Sequence, residues 1–367
     1  MGRRRRSLLM GGALGIVDWT NYDGTADKTP VVFSAVTSTQ LTKVAPIDDT
    51  RALIVYRATS NYCYAVIASV SSSGVVSYGT EAPIISASVL DVAVDVLDST
   101  HAIICVESGG AVKAIAIEFS GTTISTVGTA ATIESVNSSL LSVAALSSGD
   151  VLISYYNGTV CRLFYASVSG TMVTGGNGID AFTGALQTVT IKAMNSTQAM
   201  INLASNGVNP WSVLLVTFGG TTPSVTDTHA AVAASAFYYC GSIKRIDDTH
   251  AIATATGSGS SKTVVITNTT GTLSNGTIIN YDAQSNALSS IALPDATRAV
   301  ITARHNTLGM RTTVVEIDGA VLTALTTYAK ATDRETPDSC EVGTNFVLVA
   351  YEDDDNASEG TAQVLTV

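Results

Sequence analysis

The sequence predicts an all-β protein in which seven four-stranded antiparallel sheets form one closed ring, a seven-bladed β-propeller. Two series of landmark residues and the fit between the two chain ends carry this prediction. The first series is a short polar turn before an apolar run, which recurs every 47 to 52 residues. Its turn positions are Thr50, Thr100, Gly149, Thr197, Thr249, Thr297 and Thr344.

The second series is a glycine between two β-rich runs, and it keeps nearly the same period as the first. These glycines are Gly74, Gly121, Gly170, Gly220, Gly271 and Gly319. Each period has room for four β-like runs and shows no apolar repeat of 3.6 residues. Four strands in a unit of about 40 to 50 residues is the pattern of a propeller blade.

The first unit illustrates the four strands of a blade, named a to d from the ring axis outwards. We predict them over Leu41–Pro46, Ala52–Arg57, Cys63–Val70 and from Val75 onwards. The polar turn Asp48-Asp49-Thr50 joins strands a and b, since short polar side chains bond to turn backbone. Strands b and c are almost continuously apolar, as expected of sheets that neighbours cover on both faces.

The two ends of the chain are predicted to share the last blade. The seventh unit contains Phe346–Tyr351 and Thr361–Val367 as strands b and c, and it lacks a strand d. The unassigned run Ile16–Tyr22 would supply it and remove an exposed sheet edge. We therefore predict a basic N-terminal docking arm over residues 1–15 and one propeller domain over residues 16–367.

Composition excludes several classes of function. Only 13% of residues are charged and the formal net charge is −11, which argues against a nucleic-acid partner because phosphate contacts need a basic surface. The longest soft apolar run, Ser7–Val17, is shorter than the roughly 20 residues that a spanning helix needs, so we expect no membrane insertion. We expect no cofactor.

The residues that usually carry chemistry show no catalytic or metal-binding pattern. The five cysteines have no CxxC spacing and are expected to be buried thiols. His101 and His250 occupy the same position of the repeat and are interpreted as side chains flanking solvated turns. No nucleophile, base and orienting group are brought together. The acidic loop from Glu352 to Asn356 is expected to be solvated, with a calcium site as the alternative.

Recognition residues are expected on the b–c and d–a loops, which differ between units. Binding residues tend to lie on variable loops held by a rigid scaffold. The candidates for contact with a sugar or a protein are Asn61, Tyr62, Trp211 and His305.

The N-terminal segment is the candidate for docking to a partner. It contains the basic and apolar residues Arg3, Arg4, Arg5, Arg6, Leu8, Leu9 and Met10. A twin-arginine export signal is the alternative interpretation. The Thr/Ser/Ala/Gly/Val-rich, lysine-poor composition, with this short segment ahead of a β-rich body, resembles bacteriophage tail-fibre and appendage proteins.

This resemblance implies a non-enzymatic structural protein located in a virion. A secreted or cell-surface location is the alternative. The arm would dock on other virion proteins in a multi-copy assembly, and the ring would be a rigid platform or a head contacting a host glycan or receptor. A secreted or surface carbohydrate-binding propeller is the second hypothesis, and a glycan-cleaving enzyme is the third. The WD, Kelch and sialidase motifs of known propellers do not occur in register.

Overall fold

A computed structural model shows seven antiparallel sheets in a ring, as predicted. The structure describes residues 31–34, 40–58, 60–205, 211–232, 237–257, 260–282, 289–305, 309–331, 334–353 and 359–366. Within these ranges no helix is long and apolar enough to cross a membrane.

Each blade pairs its strands in the order a-b-c-d. The inner strands a are β2 (Gln40–Asp48), β7 (Val89–Val96), β12 (Ser139–Ala145), β16 (Leu186–Asn195), β20 (Phe237–Arg245), β24 (Ser289–Asp295) and β28 (Arg334–Glu341). The strands b are β3 (Arg51–Arg57), β8 (His101–Ser108), β13 (Asp150–Tyr156), β17 (Gln198–Ser205), β21 (His250–Gly257), β25 (Arg298–His305) and β29 (Phe346–Asp353).

The outer half of each blade consists of strands c and d. The strands c are β4 (Cys63–Val70), β9 (Val112–Ser120), β14 (Val160–Ser169), β18 (Trp211–Phe218), β22 (Ser260–Thr269), β26 (Gly309–Asp318) and β30 (Glu359–Thr366). The strands d are β5 (Val76–Tyr78) with β6 (Ala82–Ile85), β10 (Thr123–Val127) with β11 (Ala131–Glu134), β15 (Met172–Thr183), β19 (Pro223–Val232), β23 (Thr272–Asp282), β27 (Val321–Ala331) and β1 (Val31–Ser34).

The ring closes through an N-terminal strand, as predicted, but the residues differ from the prediction. Strand β1 pairs antiparallel with β30 and completes the seventh blade. We predicted Ile16–Tyr22 for this role, and that run lies outside the described residues. The described strand covers Val31–Ser34, and its Phe33 packs against the aromatic rings of Tyr56 and Tyr78 in the first blade.

Both landmark series have the structural roles that the sequence indicated. The six turn glycines all have left-handed backbone, with φ between 57° and 93°. At a–b turns, a short polar side chain accepts a hydrogen bond from the backbone N–H two residues later. Asp48 accepts the N–H of Thr50, and Asn195 accepts the N–H of Thr197. Each inner strand contacts the inner strands of the adjacent blades, including β28 with β2.

The core is a set of apolar layers between neighbouring blades. The layer between the first two blades, for example, contains Leu53, Ile67, Ile104 and Ile115, none of them exposed. The strands b and c face such layers on both sides, which explains why their sequences alternate so weakly. All five cysteines are free and buried in these layers, as predicted. Burial raises the pKa of the Cys63 thiol to about 12.

Glycines in strands d permit close contact with the next blade. A Cβ atom on Gly276 would lie 2.0 Å from the carbonyl oxygen of Ala320, in the c–d turn of the following blade. The adjacent N–H of Thr277 donates to that oxygen at 2.9 Å. A Cβ on Gly79 would meet the carbonyl oxygen of Thr122 in the same way, at 1.8 Å.

Gly276→Ala is therefore expected to destabilise the ring by about 1–3 kcal/mol, because the backbone of Ala320 must move. Urea unfolding followed by circular dichroism measures the change. Gly219→Ala is the matched control, since nothing lies within 4 Å of its Cβ position. The control is expected to stay within about 0.5 kcal/mol of the parent. Equal effects of the two variants would contradict the close approach.

Candidate functional site

The ring has two unlike faces. The a–b and c–d turns lie on one face, the turn face, and the b–c and d–a loops lie on the other, the loop face, because the strands of each blade are antiparallel. The predicted ligand-binding residues belong to the loop face or to strand ends adjoining it.

Asn61 and Tyr62 lie on the b–c loop of the first blade, next to the start of strand β7. Asn61 is exposed and has left-handed backbone, with φ of 60°. Its N–H donates to the carbonyl of Ala58 at 2.7 Å, and its carbonyl accepts the N–H of Val89 at 2.8 Å. The carbonyl of Tyr62 accepts the N–H of Ala58 at 3.0 Å. These bonds fix the loop against the start of strand β7.

Trp211 is a core residue, and its burial argues against the predicted contact with a ligand. It is fully buried, and its indole N–H donates to Oδ1 of Asn202. The Asn202 amide donates in turn to the carbonyls of Ser242 and Thr254 in the fifth blade, at 3.3 and 3.0 Å. Trp211 therefore stabilises the contact between two blades and presents no surface to a ligand.

The other predicted sites lie outside what the structure describes. His305 ends strand β25, and its side chain is not among the described ones. The arm residues Arg3 to Met10 precede the first described strand. Residues 354–356 of the acidic loop Glu352–Asn356 are also outside the described ranges, so calcium binding there stays untested. Among the described residues, no group of three or more His, Cys, Asp or Glu side chains is arranged to hold a metal ion.

The two repeat-related histidines have structural roles in their turns. Nδ1 of His101 lies 3.1 Å from Oδ1 of Asp98, and Nδ1 of His250 lies 2.9 Å from Oδ2 of Asp247. Partial burial opposes ionisation of Asp247, but hydrogen bonds from Thr249 and His250 lower its pKa to about 2. Arg51 and Arg298 occupy the same position in other blades and pair with Asp48 and Asp295. This confirms the interpretation as turn-flanking side chains.

The described residues line a channel along the ring axis. Its volume is about 540 Å³, within the usual range of ligand pockets. All seven strands a contribute to its wall. Sequence reasoning did not find this site, although polar residues such as Asp91, Asp95 and Lys192 inside otherwise apolar runs were a usable signal.

Side chains of one inner strand bond to the backbone of the next around much of the channel wall. An inner strand pairs on one side only, so its other backbone groups need partners. Asp91 and Asp95 accept the N–H groups of Leu141 and Ala145, at 2.7 and 2.9 Å. Further bonds of this kind join Ile191 to Ser142, Thr190 to Gly241, and Leu293 to Glu341. Most polar groups in the wall are therefore engaged in holding blades together.

Asp338 closes this set of bonds across the junction of the chain ends. Its carboxylate accepts the N–H of Val44 in the first blade at 2.8 Å and the hydroxyl of Ser290 in the sixth blade at 2.7 Å. One side chain of the seventh blade thereby connects both neighbours.

Asp338→Ala is expected to lower the free energy of unfolding by about 1–3 kcal/mol, because the Val44 N–H loses its acceptor. Thermal and urea unfolding measure the loss. Asp318→Ala removes an exposed carboxylate of the neighbouring blade and is the matched control. Comparable stability of the two variants would show that the carboxylate of Asp338 contributes nothing across the junction.

Ion pairs lie in the channel near the turn face. Nζ of Lys192 lies 3.0 Å from Oδ2 of Asp95, and Nζ of Lys244 lies 3.8 Å from Oε2 of Glu341. Burial acts to lower the pKa of Lys244, but the carboxylates around it, led by Glu341, raise it above its ordinary value. This end of the channel is therefore charged and internally balanced.

The opposite end, at the loop face, has an apolar side. Leu41, Leu90 and Leu140 lie there at the starts of three consecutive strands a, and Leu90 is 63% exposed. Leu41 and Leu140 have left-handed backbone, with φ of 55° and 58°, which is rare for leucine. The carbonyl of Asn61 accepts the N–H of Val89, the residue before Leu90. Asn61, a predicted ligand-binding residue, therefore lies close to the loop-face end of the channel.

These features define the protein as a seven-bladed β-propeller with a channel along its axis. The fold is similar to a crystal structure of the WD40 domain of coronin from Toxoplasma gondii. The TM-score is 0.59 at 9% sequence identity, over 92% of this chain and 85% of that chain. This likeness concerns the fold alone. No protein-family model and no curated protein matches the chain.

Proposed function

We propose that the protein is a non-enzymatic structural component of a virion, held by its basic N-terminal segment and presenting the loop face of the ring. Other virion proteins are the partners of the segment Arg3–Met10. The composition that resembles phage tail and appendage proteins motivates the virion setting.

The course of the chain at the ring closure is the observation that carries the proposed orientation. Strand d of a blade runs from the turn face towards the loop face, and β1 occupies this position in the seventh blade. Its first residue, Val31, is therefore at the end of β1 nearer the turn face, on the outer rim. A partner bound to the preceding segment on that side leaves the loop face free.

The roles of the reactive side chains support a non-enzymatic protein. His101 and His250 pair with turn carboxylates, and the buried cysteines have raised pKa values, so little thiolate forms near neutral pH. Asp91, Asp95 and Asp338 bond to backbone N–H groups that need them. These groups hold turns, layers and blades in place.

Deletion of residues 2–15 tests the proposed attachment. In cells that assemble the particle, the truncated protein is expected to be absent from purified virions while its unfolding temperature stays that of the parent. A second variant, with Arg3 to Arg6 replaced by glutamine, separates charge from length. Arg245→Gln is its control, because Arg245 is an exposed arginine of the ring. Normal incorporation of the truncated protein would refute the proposal.

Carbohydrate binding at the loop face is the second candidate, and the exposed Asn61 beside the hydroxyl-lined channel favours it. A glycan array tests it, with Asn61→Ala expected to abolish any specific signal. Asn157→Ala, on the b–c loop of the third blade, is the control on the same face. Absence of binding to every glycan by the folded parent would remove this candidate.

A further inference from the structure

A row of three carboxylates and one valine crosses the second blade at its loop-face end. On β7, β8, β9 and β11 the residues directly opposite one another are Asp91, Glu107, Val112 and Glu134. Residues opposite one another in antiparallel strands share a face. This face meets the third blade, since Asp91 accepts the N–H of Leu141 and Glu134 accepts both Nε and Nη2 of Arg162 at 3.3 Å.

The row meets Tyr155 of the third blade next to Glu107. Tyr155 and Arg162 are opposite one another on β13 and β14. Because Arg162 meets Glu134, Tyr155, one strand inwards of Arg162, meets Val112, which is one strand inwards of Glu134 and pairs with Glu107. Tyr155 also packs in the same apolar layer as Cys105 and Val112, which flank Glu107.

Glu107 and Tyr155 are both buried polar side chains of this junction. Glu107 is 1% exposed, and its carboxylate oxygens make no well-formed hydrogen bond, although the Gly110 N–H acts on them weakly. Tyr155 is fully buried, and its hydroxyl has no hydrogen-bond partner either. A buried carboxylate that lacks well-formed hydrogen bonds is costly when charged, which favours its protonated form.

The geometry points to a pH-sensitive junction between the second and third blades, in which Glu107 carries a proton in the tightly packed ring and loosens the junction when it ionises. The inference does not depend on the proposed virion function. The ionisable groups that face Glu107, or lie next to those that do, are Asp91, Lys113, Glu134, Tyr155, Arg162 and, beyond Asp91, Lys43.

The charges around Glu107 favour its protonated form on balance. Burial raises the pKa of Glu107 and the carboxylate of Asp91 raises it further, against the opposing effects of the Gly110 N–H and Lys113. Burial also raises the pKa of Asp91. In the unfolded chain these groups ionise at their ordinary, lower pKa values. The folded state therefore loses stability as pH rises from the ordinary carboxyl pKa through the raised one.

The loosening would reach the mouth of the channel. The loop after Glu107 contains Gly109 and Gly110, and a Cβ on Gly110 would lie 3.2 Å from Oδ1 of Asn137. Asn137 precedes Ser138, which lines the channel and whose hydroxyl is also unpartnered. Movement of this loop on ionisation of Glu107 would therefore displace the loop-face end of the channel wall.

Thermal unfolding of the full-length protein between pH 4.5 and 8.5 tests the inference. Glu107→Gln keeps the shape of the protonated side chain, so its unfolding temperature is expected to exceed that of the parent by about 1–4 °C at pH 7.5 and to match it near pH 4.5. Glu118→Gln, an exposed glutamate on β9, is the matched control and should follow the parent. Parallel curves for the parent and Glu107→Gln would overturn the proposal.

Two further measurements keep the test decisive. In the unmodified protein, protection of the Leu141 N–H from hydrogen exchange, corrected for the intrinsic rate, should fall as pH rises. Protection of the Ile191 N–H, which bonds Ser142 at the next junction, should change less. The same unfolding series in about 5 mM CaCl₂ tests whether a bound cation, rather than a proton, neutralises Glu107. Stabilisation by calcium of the parent but not of Glu107→Gln would overturn the proposal, as would unchanged protection of Leu141.

Discussion

Trp211→Ala is expected to lower the free energy of unfolding by about 3–5 kcal/mol, the usual cost of removing a large aromatic side chain from a core. Trp211 is fully buried in the layer between the fourth and fifth blades, with Met200, Ala204 and Cys240. The substitution also leaves Oδ1 of Asn202 without the indole donor. Urea unfolding monitored by circular dichroism measures the loss.

Two comparisons separate the packing and hydrogen-bonding contributions of Trp211. Trp211→Phe retains one aromatic ring but removes the indole N–H donor and part of the buried volume, so a smaller loss of about 1–3 kcal/mol is expected. Met172→Ala removes a large apolar side chain that is 65% exposed, and it should be almost neutral. A stable, folded Trp211→Ala protein that had lost glycan binding would instead restore the surface role that the sequence suggested.

Trp211 shows where sequence reasoning about the site reached its limit. It follows a polar, variable stretch of sequence, which is why it was expected on a loop. The structure places it as the first residue of β18, opposite Val232 and within reach of Asn202. A buried Asn acceptor nine positions upstream in the sequence is no local signal, and only the pairing of β17 with β18 brings the two together.

The fold was far more predictable than the site because its signals repeat. The turn glycines and the a–b turns have local conformations that few residues adopt, so their periodic recurrence reveals the blades. The interruption of strand d between β5 and β6 was not predicted, because it depends on a neighbour. There the chain passes so close to the turn of the next blade that a Cβ on Gly79 would clash with Thr122.

The channel was missed for a related reason. Its wall consists of one short segment from each of seven blades, so no segment by itself contains a motif. Asp91 and Asp338, for instance, bond to Leu141 and Val44, which lie in other blades. The closing strand is similar, since Ile16–Tyr22 and Val31–Ser34 are both β-like in sequence. The fit of Phe33 of β1 against Tyr56 and Tyr78 depends on the first blade, and no local sequence signal shows it.

Deletion of residues 2–34 is expected to open the ring and abolish its cooperative unfolding. The deletion removes β1, which pairs with β30 of the last blade and also contacts the first blade, where the Tyr78 hydroxyl donates to the carbonyl of Val31 at 2.9 Å. It exposes the backbone edge of β30, and an open edge pairs with other chains. Size-exclusion chromatography and calorimetry should show aggregation and a broadened transition of low enthalpy.

The four residues of β1 can be separated from the rest of the N-terminal segment by matched variants. Deletion of residues 2–30 keeps β1 and should retain a single transition. Within β1, Phe33→Ala should cost about 3–5 kcal/mol, because Phe33 is only 8% exposed and lies 5.2 Å from the Tyr56 ring. Val32→Ala, on the 37% exposed neighbour, should cost less than about 1 kcal/mol. If deletion of residues 2–34 left a monomer with the parent's transition, β1 would not be what closes the ring, and the orientation proposed from its direction would have no support.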